Sequence, residues 1–453
     1  MTDNRTILPD YNPIKGELYS DELMYEYMQS TDEGLDVEKY KALFEAVAAL
    51  DVSPERERLA DVLFDYVMKS PVREDYRYTE PSDYEEIRKL CQPYEIKVSR
   101  PSVDEIEEKI HGAWLGRTCG CLMGKPVEGM RADEMIPFLK EIGNYPMTRY
   151  ILSSDIKEDM YDRYKFWLRN KCWADTVDGM PIDDDTNYTV MYQHIVDRFG
   201  RDFTSENIVS VWLSKQPKTA YYTAERVAFT NFINGYAPPV SAVYKNKFRE
   251  WIGAQIRGDY FGYINPGNPE AAAEMAFRDA RISHTKNGIY GEMFASALIA
   301  LSAVCDDIQQ VIKGALAQIP HTSRLYEDIT FILDSCNAGR SYDECYNYIH
   351  TKYDEVSSHG WCHTIPNAMI VVTALLYGKG DFGKSLCLAV QSGFDTDCNG
   401  ATVGSVVGMM TGASHIGEEW TMPVNNKINT SVLGMETKFI TDCVKMTMNH
   451  LKM

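Results

Sequence analysis

The sequence predicts an all-α protein: a compact helical bundle preceded by an N-terminal helical extension. Three observations carry this. Apolar residues recur at helical spacing along the chain,. Alternating apolar and polar runs closed by Asn-Gly or Asp-Gly turns are scarce,. Glycines fall at four-residue steps, first Gly112, Gly116, Gly120 and Gly124, then Gly400, Gly404, Gly408 and Gly412. Such spacing puts each set on one helical face. A glycine in a helix interior costs about 1 kcal/mol unless packing returns it. The two ladders therefore predict two helices in close backbone contact at the centre of the bundle.

In chain order, the extension comes first. Tyr40, Leu43, Phe44, Val47 and Leu50 form one helical series, and Leu59, Val62, Leu63, Tyr66 and Val67 form another,. Ser53 and Pro54 between them suit a cap and a first helical position. The stretch 69–83, with its proline, tyrosines and alternating charges, reads as a loop. A second boundary near Ser99–Val103 places an extension over 1–100 and a catalytic part over 101–453. Farther on, Glu292 to Val304 and Ala368 to Tyr377 read as helices rich in Ala, Leu and Met,.

At 453 residues, with 44% hydrophobic and 25% charged, the chain can bury a large core, and wholesale disorder is excluded,. The net charge of -20 repels phosphate backbones and anionic lipid, which argues against nucleic-acid partners,. The apolar stretch from Ala368 to Tyr377 falls well short of the ~20 residues that cross a membrane. The opening residues carry no basic-then-apolar export pattern. Eleven cysteines include one close pair, Cys119 and Cys121, in a CxC rather than a CxxC arrangement,. They read as reduced thiols, and the expected location is the cytoplasm.

Two segments concentrate acid beside apolar sequence: Asp183-Asp184-Asp185-Thr186 and Asp395-Thr396-Asp397-Cys398. Each heads an expected helix, and neither contains a Lys or Arg. Buried carboxylates need a partner, so a bound cation is the economical reading. Hard oxygen donors without histidine suit magnesium, manganese or calcium, and two clusters brought together suit a two-metal site. Helix capping by Asp183 is the alternative for the first segment.

With a third block, running from His111-Gly112-Ala113-Trp114-Leu115-Gly116-Arg117 to Gly124-Lys125-Pro126-Val127-Glu128-Gly129, these segments resemble the ADP-ribosylglycohydrolase family. The order and separation of the blocks agree with it. So do Gly253-Ala254-Gln255-Ile256-Arg257, Asn265-Pro266-Gly267-Asn268 and the segment from Asp279 to His284, and the resemblance spans roughly Ser102 to Thr447. It implies a helical fold with a binuclear site of two divalent cations, magnesium first, that hydrolyses the glycosidic bond of an ADP-ribosylated protein or ADP-ribose conjugate.

Carried over residue by residue, Glu128, Asp184 and Asp397 match catalytic positions. Asp183, Asp184, Asp185, Asp395, Asp397 and Cys398 match the metal set, and Gly253, Gln255, Arg257 and His284 match the ligand-facing loops. Three departures stand out: Asp183 and Cys398 replace the family's usual hydroxyl residues, and Cys121 stands where many members have Asp. Six carboxylates, Glu128 included, would then face four positive charges from two ions. From the residues alone, Arg257 suits either a phosphate or a pairing with Asp259 or Glu274, and His284 either a sugar oxygen or a structural role. Trp361 and His363 suit a cleft wall. Three other readings stay open: a hydrolase of a smaller N-riboside or other glycoside, a non-catalytic ADP-ribose binder, and a structural protein that keeps the fold.

Overall fold

A computed structural model describes residues 18–453, so the opening segment read above for an export signal lies outside the described residues. Among these residues the chain is helical throughout, with a single small hairpin in which Lys427–Asn429 pairs antiparallel with Thr437–Phe439. No helix is long and apolar enough to cross a membrane.

The two glycine ladders form the centre. Ser102 caps the helix Val103–Gly124 in a reciprocal capping box with Glu105,. The helix Thr396–Thr411 runs antiparallel against it, with Gly112 facing Gly408, Gly116 facing Gly404, Gly120 facing Gly400 and Gly124 facing Thr396. A Cβ at any of these glycines would lie within 3.0 Å of the facing backbone. This contact brings the C-terminal end of the first helix, where Lys125 and Glu128 follow, against the N-terminal end of the second, where Asp395 and Asp397 lie. Around the pair stand Lys286–Ser302 and Thr364–Gly378, apolar on all sides and buried almost throughout,.

The N-terminal unit has its own small core of Leu23, Tyr27, Phe44, Ala60, Leu63 and Val67, built by helices Met24–Asp32, Lys41–Ala48 and Pro54–Lys69. Ser53 caps the last of these and Pro54 opens it. The expected apolar series is only half covered. Leu43, Leu50, Leu59, Val62 and Tyr66 remain on the surface, because each helix offers only one face to its neighbours and the apolar stripe is wider than that face. Beyond residue 83 the chain joins the main core, to which Ile87 belongs.

The unit docks through a buried polar network. Arg249 pairs with Glu26 at 2.8 Å and Glu33 at 2.6 Å. Gln29 donates to Glu250 at 2.6 Å, and Arg324 bridges Glu80 and Glu250 at 2.9 and 2.8 Å.

Candidate metal centre and active site

Met180 sits beside the hairpin, donating its N–H to Lys427 and accepting from Asn429, which fixes the entry to Asp183. Asp183 then caps the helix Asp184–Phe199, its Oδ1 accepting from the Asp185 amide at 2.9 Å. Asp395 occupies the equivalent position before Thr396–Thr411. Both positive helix ends therefore point at one place, where they favour carboxylates.

The loop before Asp395 is held in a costly shape. Phe394 has φ of 55°, unusual for a residue with a side chain,. Glu355 secures it by accepting from the Phe394 amide at 2.8 Å and the Ala132 amide at 3.0 Å. Asn367 accepts from the Asp395 amide at 3.1 Å and from Asn399 at 2.8 Å.

A cleft of about 480 Å³ opens over these helix ends. Glu128, Asp183, Asp184, Asp395, Asp397 and Cys398 all line it, so residues more than 250 positions apart in sequence share one wall. Ligand atoms of Cys121, Asp183, Asp185 and Asp397 lie within 4.8 Å of one another, as do those of Asp395, Asp397 and Cys398. Asp397 belongs to both groups.

The electrostatics reflect this crowding. Burial, then the charges of Asp183 and Asp397, push Asp184 up to about 8. Burial, then Asp397 and Glu128, raise Asp395, and Asp397 raises Glu128 even more than desolvation does. Burial is also the main cause that raises the thiols of Cys121 and Cys398, with the acids adding to it, which keeps both protonated and poorly suited to a hard cation,.

The acid segments are not without cations of their own, which corrects the expectation drawn from each segment separately. Lys125 approaches Asp183 at 2.5 Å. Asp183 is thereby drawn below the ordinary carboxylate range despite its burial. Arg117, buried in the first glycine helix, meets Asp185 at 3.0 Å and Asp259 at 2.8 Å. The two supply the positive charges that the sequence count lacked, Arg117 sharing its own with Asp259. Asp183, expected as a metal ligand, thus has one oxygen on the helix cap and the other on Lys125. Asp185 Oδ2 is the opposite case: it is buried and has no hydrogen-bond partner among the described residues. An orphaned carboxylate oxygen beside Asp397 and Asp183 fits a divalent cation, so the donor set agrees with the metal that the sequence motifs imply.

The ligand-loop residues divide. Gly253 lines the cleft, and a Cβ there would collide with Glu225, another lining residue. Gln255 is buried and accepts from Thr364 at 2.9 Å. Arg257 does not reach the cleft. It is wholly buried, bound to Asp279 at 2.6 Å and Glu225 at 2.8 Å, and pairs with neither Asp259 nor Glu274. His284 is also buried, with Nδ1 2.8 Å from Ser283 Oγ, and burial, reinforced by the Arg257 charge, lowers its pKa well below the usual histidine value. Neither lines the cleft: Arg257 is held by partners that a ligand would have to displace, whereas His284 Nε2 has no hydrogen-bond partner among the described residues,.

Trp361 and Cys362 line the cleft, whereas His363 turns toward Glu250. His363 joins Asp32 and His359 in a third group of possible ligands. Trp251 Nε1 donates to His359 Nδ1 at 3.1 Å and the Ile365 amide donates to His363 Nδ1 at 3.2 Å. Each ring therefore carries its proton on Nε2, and that of His359 is given to Asp32 at 2.8 Å,. The group locks the N-terminal unit to the body and does not offer free nitrogen lone pairs.

The ADP-ribosylglycohydrolase family model matches residues 102–444. The chain belongs to the ADP-ribosylglycohydrolase family. A solved structure titled "ADP-ribosylglycohydrolase-related protein complex" superposes with a TM-score of 0.48 at 16% identity, over 77% of this chain and 99% of its own. No curated protein matches the chain. The match begins at the capped start of the first glycine helix and takes in both acid segments, while the N-terminal unit lies outside it. The family is one of glycosidic-bond hydrolases that act on ADP-ribosylated substrates.

Sequence reasoning missed four residues that shape the site: Arg117, Lys125, Glu225 and Glu355. Arg117 and Lys125 stand within residues 111–129, where their charge among glycines and apolar residues was the available signal. Glu225 and Glu355 carry no local pattern that marks them.

Proposed function

We propose that the protein is a divalent-cation-dependent hydrolase that cleaves the N- or O-glycosidic bond of an ADP-ribosyl conjugate in this cleft. The observation that carries the reading is the convergence of Asp184, Asp185, Asp395 and Asp397 from two helix starts, with one buried oxygen of Asp185 unpartnered. These four would hold two cations, magnesium by donor type,. Bound there, the cations would fix ribose hydroxyls and acidify a water.

The chain's own residues do the rest. Glu128 lines the cleft beside the acids and would exchange a proton with water or a ribose hydroxyl near the anomeric carbon,. Lys125 keeps Asp183 ionised and anchored, so that Asp183 shapes the site from behind. Cys398 and Cys121 remain thiols that exclude water from the floor. Trp361, held by its N–H to the Phe394 carbonyl at 2.5 Å, walls the side where the sugar enters.

The test is release of free ADP-ribose from arginine- and serine-linked conjugates with magnesium, manganese or calcium present. Release from one linkage that disappears on chelation supports the reading and names the bond. Metal binding without release from either conjugate would move the chemistry to a smaller N-riboside or glycoside. Binding of ADP-ribose without turnover on any substrate would leave a non-catalytic binder.

A further inference from the structure

A second chamber, about 510 Å³, adjoins the acid cleft. Tyr222, Thr223, Trp251, Trp361 and Cys362 line both, so the two spaces share a wall. The segment after Glu128 passes from one to the other: Glu128 faces the acids and Arg131 faces the chamber.

The character of the two spaces is opposite. The cleft is walled by carboxylates, whereas the chamber presents Arg131 and Arg226. The Arg131 guanidinium stacks 4.7 Å from the Trp361 ring centre and that of Arg226 5.3 Å from Tyr222. Neither arginine pairs with a carboxylate among the described residues. Arg226 spends only its Nε–H, on the Tyr221 carbonyl at 2.7 Å, and Arg131 reaches only the Gly129 carbonyl, at 3.5 Å. Two half-buried guanidinium groups, each flattened on an aromatic face at the junction with the cleft, present the forked donors that bind phosphate oxygens. Lys245 and Lys247, also in the wall, are committed elsewhere, to Asp61 and to the carbonyls of Leu18, Tyr19 and Asp21.

The far wall comes from outside the family match. Leu18, Tyr19, Glu22 and Tyr25 of the N-terminal unit close the chamber, and Tyr25 lies 5.5 Å from Trp251 and 6.4 Å from Phe248. Three rings thus form an aromatic surface in the chamber wall.

We propose that the N-terminal unit is a substrate-specificity element: with Arg131 and Arg226 it completes a subsite for a phosphorylated arm that ends in an aromatic base. The arginines hold the phosphate, and the Tyr25 wall holds the base. This rests on the reading of the acid cleft as the place where the sugar bond is cut, since the arm then leads away from the anomeric carbon into the chamber.

Binding of AMP, of inorganic pyrophosphate and of ribose 5-phosphate to the full chain, measured by calorimetry in chelator, tests the subsite without reference to hydrolysis. AMP should bind more tightly than ribose 5-phosphate. Arg226→Gln and Arg131→Gln should each weaken AMP and pyrophosphate about tenfold, and Tyr25→Ser should weaken AMP about tenfold while leaving pyrophosphate within twofold. Thr230→Trp, which fills the chamber far from the acids, should abolish AMP binding and serves if Tyr25→Ser loosens the unit. On an ADP-ribosyl conjugate the arginine variants should raise KM and keep kcat. Equal AMP affinity in all four variants, or no binding of AMP and pyrophosphate to the wild type, would overturn the subsite even if conjugates are cleaved. AMP binding with the expected losses but no cleavage would keep the subsite and sink the hydrolase reading instead.

Discussion

Arg257 illustrates how burial decides a residue's work. With its guanidinium wholly enclosed and shared by Asp279, Glu225 and, at 3.7 Å, Glu292, Arg257→Met strips three buried carboxylates of their partner and is expected to cost about 3–5 kcal/mol,. Urea unfolding checks this; an unchanged midpoint would show a residue free to serve a ligand. Glu128→Gln is expected to lower turnover about a hundredfold or more with cation binding intact, because the cluster of candidate ligands does not include it,. At this scale the acid residues were legible in the sequence, since each group is contiguous and heads a helix. Lys125, Arg117 and Glu225 were not legible as partners. Their partners, Asp183, Asp185 and Arg257, lie 58, 68 and 32 positions away, and no local spacing encodes such pairing.

The helices themselves were the most legible elements. Gly116, Gly120, Gly404 and Gly400 predicted close backbone contact from spacing alone, and the structure shows Cβ positions that the facing carbonyls already occupy. Gly120→Ala must push the two helices apart and is expected to destabilise by about 3 kcal/mol, near the upper range for overpacking. It should also cut activity, because the same contact sets Lys125 against Asp397's helix. Thermal unfolding and the release assay would check both; an alanine tolerated without loss would contradict the packing.

What the sequence did not reveal is how the N-terminal helices lie. Leu43, Leu59 and Val62 share the period of buried neighbours but stay exposed, and the docking face is polar, through Glu26, Glu33 and Asp32, where hydrophobic periodicity carries no information. Burial lowers the pKa of His359 within that face. The folded chain therefore resists a proton that the unfolded chain accepts near pH 6.5, so stability is lost as pH falls through that value. Protonation also sets a second N–H against that of Trp251. The wild type should lose more stability between pH 7.5 and 5.5 than His359→Gln, as read by unfolding midpoints, and parallel losses would argue against a neutral His359.

The whole molecule places a strongly negative chain around a site that gathers six carboxylates against Lys125 and Arg117. Self-repulsion of that kind weakens the folded state until a cation joins it, so a ligand that binds only the folded chain raises its stability. Millimolar magnesium should lift the unfolding midpoint of the wild type by several degrees, and Asp397→Asn should show little of that gain. The net charge and the absence of a spanning helix bounded the chemistry early, but the second chamber could not be foreseen, because its walls come from residues near 20, 131, 226 and 361 that only the fold assembles.

The most direct test of the site is a calorimetric titration of the chelator-treated protein with magnesium and manganese, comparing wild type with Asp397→Asn. Saturable binding to the wild type, weakened at least tenfold by the substitution, is the expected result, since Asp397 borders both ligand groups. Equal binding in the two proteins would show that Asp397 holds no cation and contradict the site; no binding in either would show that Lys125, Arg117 and shared protons suffice to hold these carboxylates together, and the cation-dependent hydrolase would be wrong.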